Sequence, residues 1–169
     1  GTLNPAPVEQ AIQSNTKLIV LNQASNVCGT LLPVRAVGQI ARRKNLLYLV
    51  DTAQSAGAIP IDMEKDGIDL LAFTGHKSLY GPTGTGGLVI GERVDVKHFH
   101  PLKQGGTGSR SEREEKPDFL PDMLESGTPN TAGLAGLCAG LEWIASRGVW
   151  ELRAHEQRLC PRLLDGLGE

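Results

Sequence analysis

Four short apolar runs, each followed by polar or glycine-rich residues, set the rhythm of this chain. Lys17–Ala24 is apolar without strict alternation, as expected for a strand buried on both faces. Leu46–Val50 and Ile68–Phe73 have the same character and end at Asp51 and Thr74, while Gly86–Ile90 is shorter and flanked by glycine. Between the first two runs, Pro33 opens a segment with Val34, Val37, Ile40 and Ala41 at helical spacing and basic residues in its last turn. Strands alternating with helix at this spacing predict an α/β fold, a mainly parallel sheet flanked by helices. After Gly91 the pattern changes. His98 to Asp122 carries glycines, prolines and the charged stretch Arg110–Lys116, and reads as a long solvated functional or interface loop. Thr131–Ile144 places Leu134, Leu137, Cys138 and Leu141 on one face of an amphipathic helix, which predicts Cys138 in the core. Trp150–Leu164, with Leu152, Leu159 and Leu163 among charges, predicts another helix.

Composition narrows the class. A chain of 169 residues with 40% hydrophobic and 21% charged residues suits one ordinary domain. A net charge of −2 without a long run of either sign argues against a nucleic-acid or anionic-membrane partner held by bulk electrostatics. No apolar run approaches a membrane span, and 4% aromatic residues disfavours base stacking. Three widely spaced cysteines (Cys28, Cys138, Cys160) without a CxxC pair point away from a disulfide framework or zinc site, and toward a reducing, cytoplasmic setting. Packing is the expected role of Cys28. The pair His98 and His100 lacks further ligands at metal spacing, so no metal site is expected. Gly1-Thr2-Leu3 has neither an initiator Met nor a signal pattern, Leu167-Gly168-Glu169 stops abruptly, and both ends read as cuts. The 21 glycines call for tight turns or backbone brought close to a ligand.

Ligands of open parallel sheets bind beyond the carboxyl ends of the strands, so the residues after each run are the first candidates. Ser25 and Asn26 follow the first run, Asp51 and Gln54 the second, and Thr74, His76 and Lys77 the third. Each alone has an ordinary reading: Asp51 as a turn cap, Gln54, His76 and Lys77 as solvated surface. Their coincidence at three successive strand ends favours one functional rim. A lysine after a buried strand among glycines suits Schiff-base chemistry, in which a flexible amine reaches a carbonyl. An acid at the neighbouring strand end suits a protonated ring nitrogen, and pyridoxal 5'-phosphate requires both parts. Thr74 and His76 offer hydroxyl and imidazole donors for phosphate oxygens. The glycines of Gly81-Pro-Thr-Gly-Thr-Gly86 do not make a nucleotide-binding P-loop. They lack the following Lys and Ser or Thr, and they precede a strand rather than a helix.

Four stretches then carry a resemblance: SNVCGTLLPV (Ser25–Val34), VDTAQSAGAIPID (Val50–Asp62), FTGHKSLYGPTGTGGL (Phe73–Leu88) and ESGTPNTAG (Glu125–Gly133). In this order they are similar to the class V aminotransferases, the cysteine desulfurases above all, over roughly residues 15 to 147. The resemblance implies part of the large pyridoxal phosphate-binding domain of the fold-type I aminotransferases across residues 1–169, with a seven-stranded, mainly parallel sheet in an obligate homodimer. It implies that Lys77 forms the Schiff base and moves protons, that Asp51 pairs with the pyridine nitrogen, and that Gln54 bonds the ring's phenolic oxygen. Thr74, in place of the family's common serine, would bind phosphate with His76. Asn26 would lie near the ring oxygen and the substrate carboxylate. Thr128 resembles a residue that reaches the phosphate in the neighbouring subunit, and Gly105, Gly106 and Thr107 resemble a loop at that dimer edge.

The resemblance also implies an amino-acid substrate, cysteine desulfuration to alanine, and a sulfur-acceptor protein as partner. Class V transaminase and selenocysteine lyase chemistry share the same residues, and a non-catalytic dimerisation module is the alternative of another class. Members of the family are roughly twice this length, with a second, smaller domain. The upstream phosphate loop, the residue stacking on the ring, the substrate-carboxylate arginine and the acceptor cysteine have no counterpart here. None of Cys28, Cys138 or Cys160 occupies the acceptor position, so desulfuration rests on similarity, and this chain alone is expected to bind the cofactor weakly and turn over little.

Overall fold

The computed structural model describes residues 2–106, 109–110 and 112–168. Strands β1 (Leu18–Asn22), β2 (Leu47–Asp51), β3 (Leu70–Thr74) and β4 (Gly86–Ile90) form one sheet in the order β1-β2-β3-β4. The first three run parallel and β4 returns antiparallel to β3. The glycine-rich link before β4 forms no helix and folds the chain straight back, which suits an antiparallel neighbour. Helices are α1 (Pro5–Gln10), α2 (Val34–Arg43), α3 (Met63–Asp66), α4 (Thr131–Arg147) and α5 (Val149–Leu167). The mixed α/β architecture and largely parallel sheet match the sequence expectation. Helices α1 and α3 are too short to leave a period and are marked by their caps instead. Asn4 accepts the Ala6 N–H at 3.0 Å, and Asp62 accepts the Lys65 N–H at 3.0 Å.

Two cores hold the sheet. On one face Val34, Val37 and Ala41 of α2 pack with Leu46, Tyr48, Val50, Ile68 and Leu71. Tyr48 and Val50 alternate with half-buried Leu47 and Leu49, so β2 points its larger buried groups toward α2. The Tyr48 hydroxyl donates to the Val34 carbonyl at 3.2 Å, and burial pushes its phenol far above the ordinary value. A second cluster joins Leu79, Leu137 and Ile144 with Ala56, Phe73, Val149 and Leu152, and Phe73 touches both clusters.

Three burial expectations change. Strand β1 is not covered on both faces: Ile19 and Leu21 pack toward α2, whereas Leu18 and Val20 are exposed, Val20 at 61%. β1 is an edge strand, and no described residue lies over that face sufficiently to bury it. The inward face of α4 is Gly133, Leu137, Gly140 and Ile144, while Leu134, Leu141 and Cys138 are exposed. A hydropathy count passes over glycine, yet Gly140 is where the helix backbone meets the chain beneath: a Cβ there would stand 2.5 Å from the Leu79 carbonyl oxygen. Leu159 and Leu163 of α5 are likewise exposed, although Leu152 packs.

A buried acid fixes the end of the sheet away from the strand termini that carry the candidate residues. Asp69, 1% exposed, accepts the Tyr48 N–H at 2.9 Å and the Arg93 guanidinium at 3.1 and 3.2 Å. Arg93 also donates to Asn45 Oδ1 at 3.3 Å, and Arg42 approaches Asp69 from outside at 3.6 Å. Asp69→Ala leaves a buried N–H and a partly buried guanidinium without their acceptor. We expect it to lower the unfolding free energy by about 3 kcal/mol in a urea titration. Arg42→Ala, which removes the more exposed partner, is expected to cost less than about 1 kcal/mol in the same titration.

Candidate active site

Strand register brings the candidate residues to one rim. Asn22 pairs with Asp51, and Asp51 pairs with Ala72, so the segments leaving β1, β2 and β3 emerge at the same end of the sheet. The segment after β1 is a closed loop: Leu32 N–H donates to the Gln23 carbonyl at 2.9 Å and Ser25 N–H to the Thr30 carbonyl at 3.0 Å. Inside it, Ser25 Oγ accepts the N–H groups of Val27 and Cys28 at 3.2 and 3.3 Å, and Gly29 takes a φ of 66° to complete the turn. Asn26 is exposed on this loop.

After β2 the Asp51 carboxylate accepts the Ala53 N–H on Oδ1 at 2.8 Å. The turn-capping role is therefore real, and it orients the carboxylate while Oδ2 stays open to a further donor. The Thr52 backbone N–H and hydroxyl both donate to the Ala72 carbonyl at 2.8 Å, tying this turn to the end of β3. Gln54 is half-buried. Asn22, Ala24, Asn26, Asp51, Ala53 and Gln54 together line a cleft of about 160 Å³.

The segment after β3 is held from three sides. Gly81 N–H returns to the Gly75 carbonyl at 2.8 Å, Tyr80 N–H to the Lys77 carbonyl at 2.9 Å, and Gly75 N–H donates to the Thr85 carbonyl at 2.8 Å. Lys77 is exposed on this closed loop, and its ammonium makes no hydrogen bond or ion pair with any described residue. Thr74 Oγ1 lies 2.7 Å from His76 Nδ1, so the second ring nitrogen of His76 remains available. Gly57, at φ 88°, lies against the Ser78 carbonyl where no Cβ fits, which presses the turn after β2 onto the lysine loop. The following glycines turn the chain into β4 instead of opening a helix, unlike a P-loop.

Thus Asn26, Asp51 and Gln54 share one cleft, Thr74 is bonded to His76, and Lys77 lies on the loop beside them. Thr128 is not brought to that cleft. It is exposed in the segment leading to α4, where Gly127 N–H donates to the Gly106 carbonyl at 2.8 Å and Ser126 Oγ to the Lys103 carbonyl at 3.0 Å. The expected dimer-edge elements Gly105–Gly106 and Thr128 therefore lie side by side; Thr107 falls outside the described residues. Two buried polar residues at the rim escaped sequence reasoning, Gln23 and Ser55, whose side chains bond each other at 2.6 Å. A polar residue inside an apolar run was the only signal for Gln23, and Ser55 left none. His98 lies 3.5 Å from Asp95, and the described residues hold no group of three or more side chains able to share a metal ion. No helix among them is long and apolar enough to cross a membrane.

Chemically, the rim offers a free amine, an oriented carboxylate, two primary amides and a hydroxyl–imidazole pair. That set can hold and polarise a ring bearing a carbonyl, an acidic nitrogen and an anionic arm.

The family model described as aminotransferase class-V matches residues 1–169. A probable cysteine desulfurase of Halalkalibacterium halodurans is 36% identical over all of this chain, which spans 42% of that protein. A second, from Pasteurella multocida, is 41% identical over 86% of the chain and 34% of its own length. Among solved structures, the apo cysteine desulfurase of Thermococcus onnurineus NA1 superposes with a TM-score of 0.84 at 34% identity, over 99% of this chain and 42% of that one. A structure described as SspA in complex with cysteine matches 83% of this chain and 37% of its own, with a TM-score of 0.67 at 30% identity. The chain thus spans about two-fifths of the length of these relatives.

Cys28 departs from its expected packing role: it is exposed. The hydroxyl of Ser25 and that of Thr30, whose oxygen is 3.2 Å from Sγ, stabilise the thiolate and draw the thiol down to about 6. Alkylation of Cys28 by iodoacetamide, followed by peptide mass mapping, is expected to reach half its plateau rate near pH 6. Removing a hydroxyl that stabilises the charged form raises the pKa, so Ser25→Ala and Thr30→Val are each expected to move that midpoint to higher pH. A midpoint unmoved by both substitutions would contradict the assignment.

Proposed function

This chain belongs to the aminotransferase class-V family, and on that premise we propose that it forms the pyridoxal phosphate-binding part of a cytoplasmic cysteine desulfurase. The observation that carries the reading is the convergence of a free lysine, an oriented aspartate and two amides at the carboxyl ends of three neighbouring strands. The donor set fits this cofactor. Asp51 is fixed through Oδ1 and keeps Oδ2 for a protonated ring nitrogen, while Gln54 and Asn26 present amides beside it. Lys77 has no competing partner among the described residues, which leaves its amine free for the cofactor's aldehyde.

When bound, pyridoxal phosphate supplies an electron sink conjugated to the substrate's α-carbon. The chain's own residues act around that chemistry. Lys77 would hold the cofactor through its aldehyde, and its amine would move a proton at the substrate's α-carbon. The Asp51 carboxylate keeps the ring nitrogen protonated, and Gln54 donates to the ring's phenolic oxygen. Thr74 and His76 hold the phosphate, and the Thr74–His76 bond engages Nδ1 while leaving the second imidazole nitrogen available. Asn26 orients the substrate carboxylate. Thr128 and the Gly105–Gly106 edge serve the site of a second copy in a homodimer.

Cysteine is favoured as substrate because relatives bear the name cysteine desulfurase and one neighbour was solved in complex with cysteine. In the balanced reaction a thiolate acceptor attacks the substrate sulfur, the C–S bond breaks with its electron pair and a proton ending on the β-carbon, and the products are alanine and the acceptor persulfide. The sulfur-acceptor protein is a partner that takes the persulfide onward.

The complete gene product, purified with pyridoxal phosphate, is expected to be yellow and to release equimolar alanine and sulfide from cysteine with a thiol reductant. Lys77→Ala should be colourless and inactive, and Asp51→Ala should lower kcat by about 10²–10³-fold, the usual loss for a key electrostatic contact. Alanine formation without sulfide or persulfide contradicts desulfuration, and a colourless wild-type protein contradicts the cofactor.

A further inference from the structure

Gln23 makes three hydrogen bonds, two of which join the two loops facing the cleft and one of which closes the first. Its backbone N–H donates to the Asp51 carbonyl at 2.9 Å, just where the oriented carboxylate leaves β2. Its own carbonyl accepts Leu32 N–H at 2.9 Å and so closes the loop that carries Asn26. Its side-chain Oε1 accepts the Ser55 hydroxyl at 2.6 Å, one residue beyond Gln54. Both side chains are buried, Ser55 completely, so each depends on the other for satisfaction. Ser55 is in turn built into its turn: its N–H donates to the Thr52 carbonyl at 2.9 Å, and its carbonyl accepts the N–H groups of Ala58 and Ile59 at 3.0 and 2.9 Å. A change at Oε1 is therefore transmitted to the backbone that presents Asp51 and Gln54.

We infer that Gln23 is a positioning residue, which through Ser55 sets the separation between Asn26 on one loop and Asp51 with Gln54 on the other. This rests on the reading of the rim as a pyridoxal phosphate site and deepens it. Neither residue of the pair lines the cleft. It fixes the distance between groups that must reach the substrate side and the ring side of one rigid, planar molecule. Such a gap tolerates little error, because contacts to a rigid ligand are lost together when one wall moves. An apolar pair of similar volume would pack here and leave no polar atom unsatisfied. It would not carry the directional link.

That distinction gives the test. Gln23→Met and Ser55→Ala each leave one buried polar group without its partner, whereas the double substitution removes both. In the complete gene product, each single variant is expected to lose thermal stability and the double variant to recover most of it. All three are expected to bind pyridoxal phosphate about tenfold more weakly than wild type, the scale of one hydrogen bond. All three should also have an altered visible circular dichroism of bound cofactor. In the cofactor-free protein, amide exchange over residues 23–32 and 51–55 is expected to rise in the double variant even though its stability has recovered. Recovery of wild-type affinity, dichroism and exchange together with stability would make the pair merely structural and overturn the inference. Wild-type protein that takes up no pyridoxal phosphate overturns the cofactor reading and this inference with it, whereas tight wild-type binding that all three variants retain overturns this inference alone.

Discussion

The shared register of three parallel strands is the constraint on which the site depends. Because Asn22, Asp51 and Ala72 lie across from one another, three separate stretches of sequence leave the sheet at one level. A slip of one residue would turn Asp51 to the other face and carry Tyr48 and Val50 out of the α2 core. The packing that buries those two side chains therefore also fixes where the carboxylate stands. At the far end, Asp69 pins β2 and β3 through Tyr48 N–H and Arg93, so the register is fixed at both ends of the strands. Stability and site geometry are consequences of one arrangement.

Register alone leaves the loops free, and two further devices remove that freedom. Hydrogen bonds join the first loop to the second, through Gln23 to Asp51 and Ser55. Close backbone approach joins the second to the third, at Gly57 against Ser78. Helix α4 supports the lysine loop from below: Gly140 meets Leu79, Leu137 packs with Leu79, and the Tyr80 ring meets Trp143 edge-on with centroids 5.1 Å apart. Tyr80 itself takes a φ of 56°, an uncommon conformation for a side-chain-bearing residue, at the turn that closes the loop behind Lys77. The exposed Lys77 side chain thus stands on a loop whose backbone is held by these contacts.

Much of this was legible in the sequence, for identifiable reasons. Apolar runs of five residues ending in Asp51 or Thr74 carry both the strand and the position of its polar exit, so the rim residues could be named from pattern alone. The family resemblance added Thr128, which no periodicity marks. What escaped was information that side-chain hydropathy does not hold. Gly133 and Gly140 form half of the inward face of α4, yet glycine scores as neither apolar nor polar, so the face was assigned to Leu134, Cys138 and Leu141 instead. Burial of β1 was overestimated because an apolar strand states what it can bury against, not what lies over it. Gln23 and Ser55 sit 32 positions apart, and their pairing exists only once the strands are aligned. Cys28 looked like a packing residue, and its exposed thiol owes its low pKa to hydroxyls that the turn at Gly29 brings around it.

We propose that Lys77 is the amine that takes up pyridoxal phosphate at this rim. Borohydride reduction of the purified complete gene product, followed by proteolysis and mass mapping, tests it directly. The account predicts one pyridoxyl phosphate adduct per chain, on the peptide containing Lys77 and on that side chain. Adduct on another lysine, or none on a protein that retains the cofactor, would contradict it.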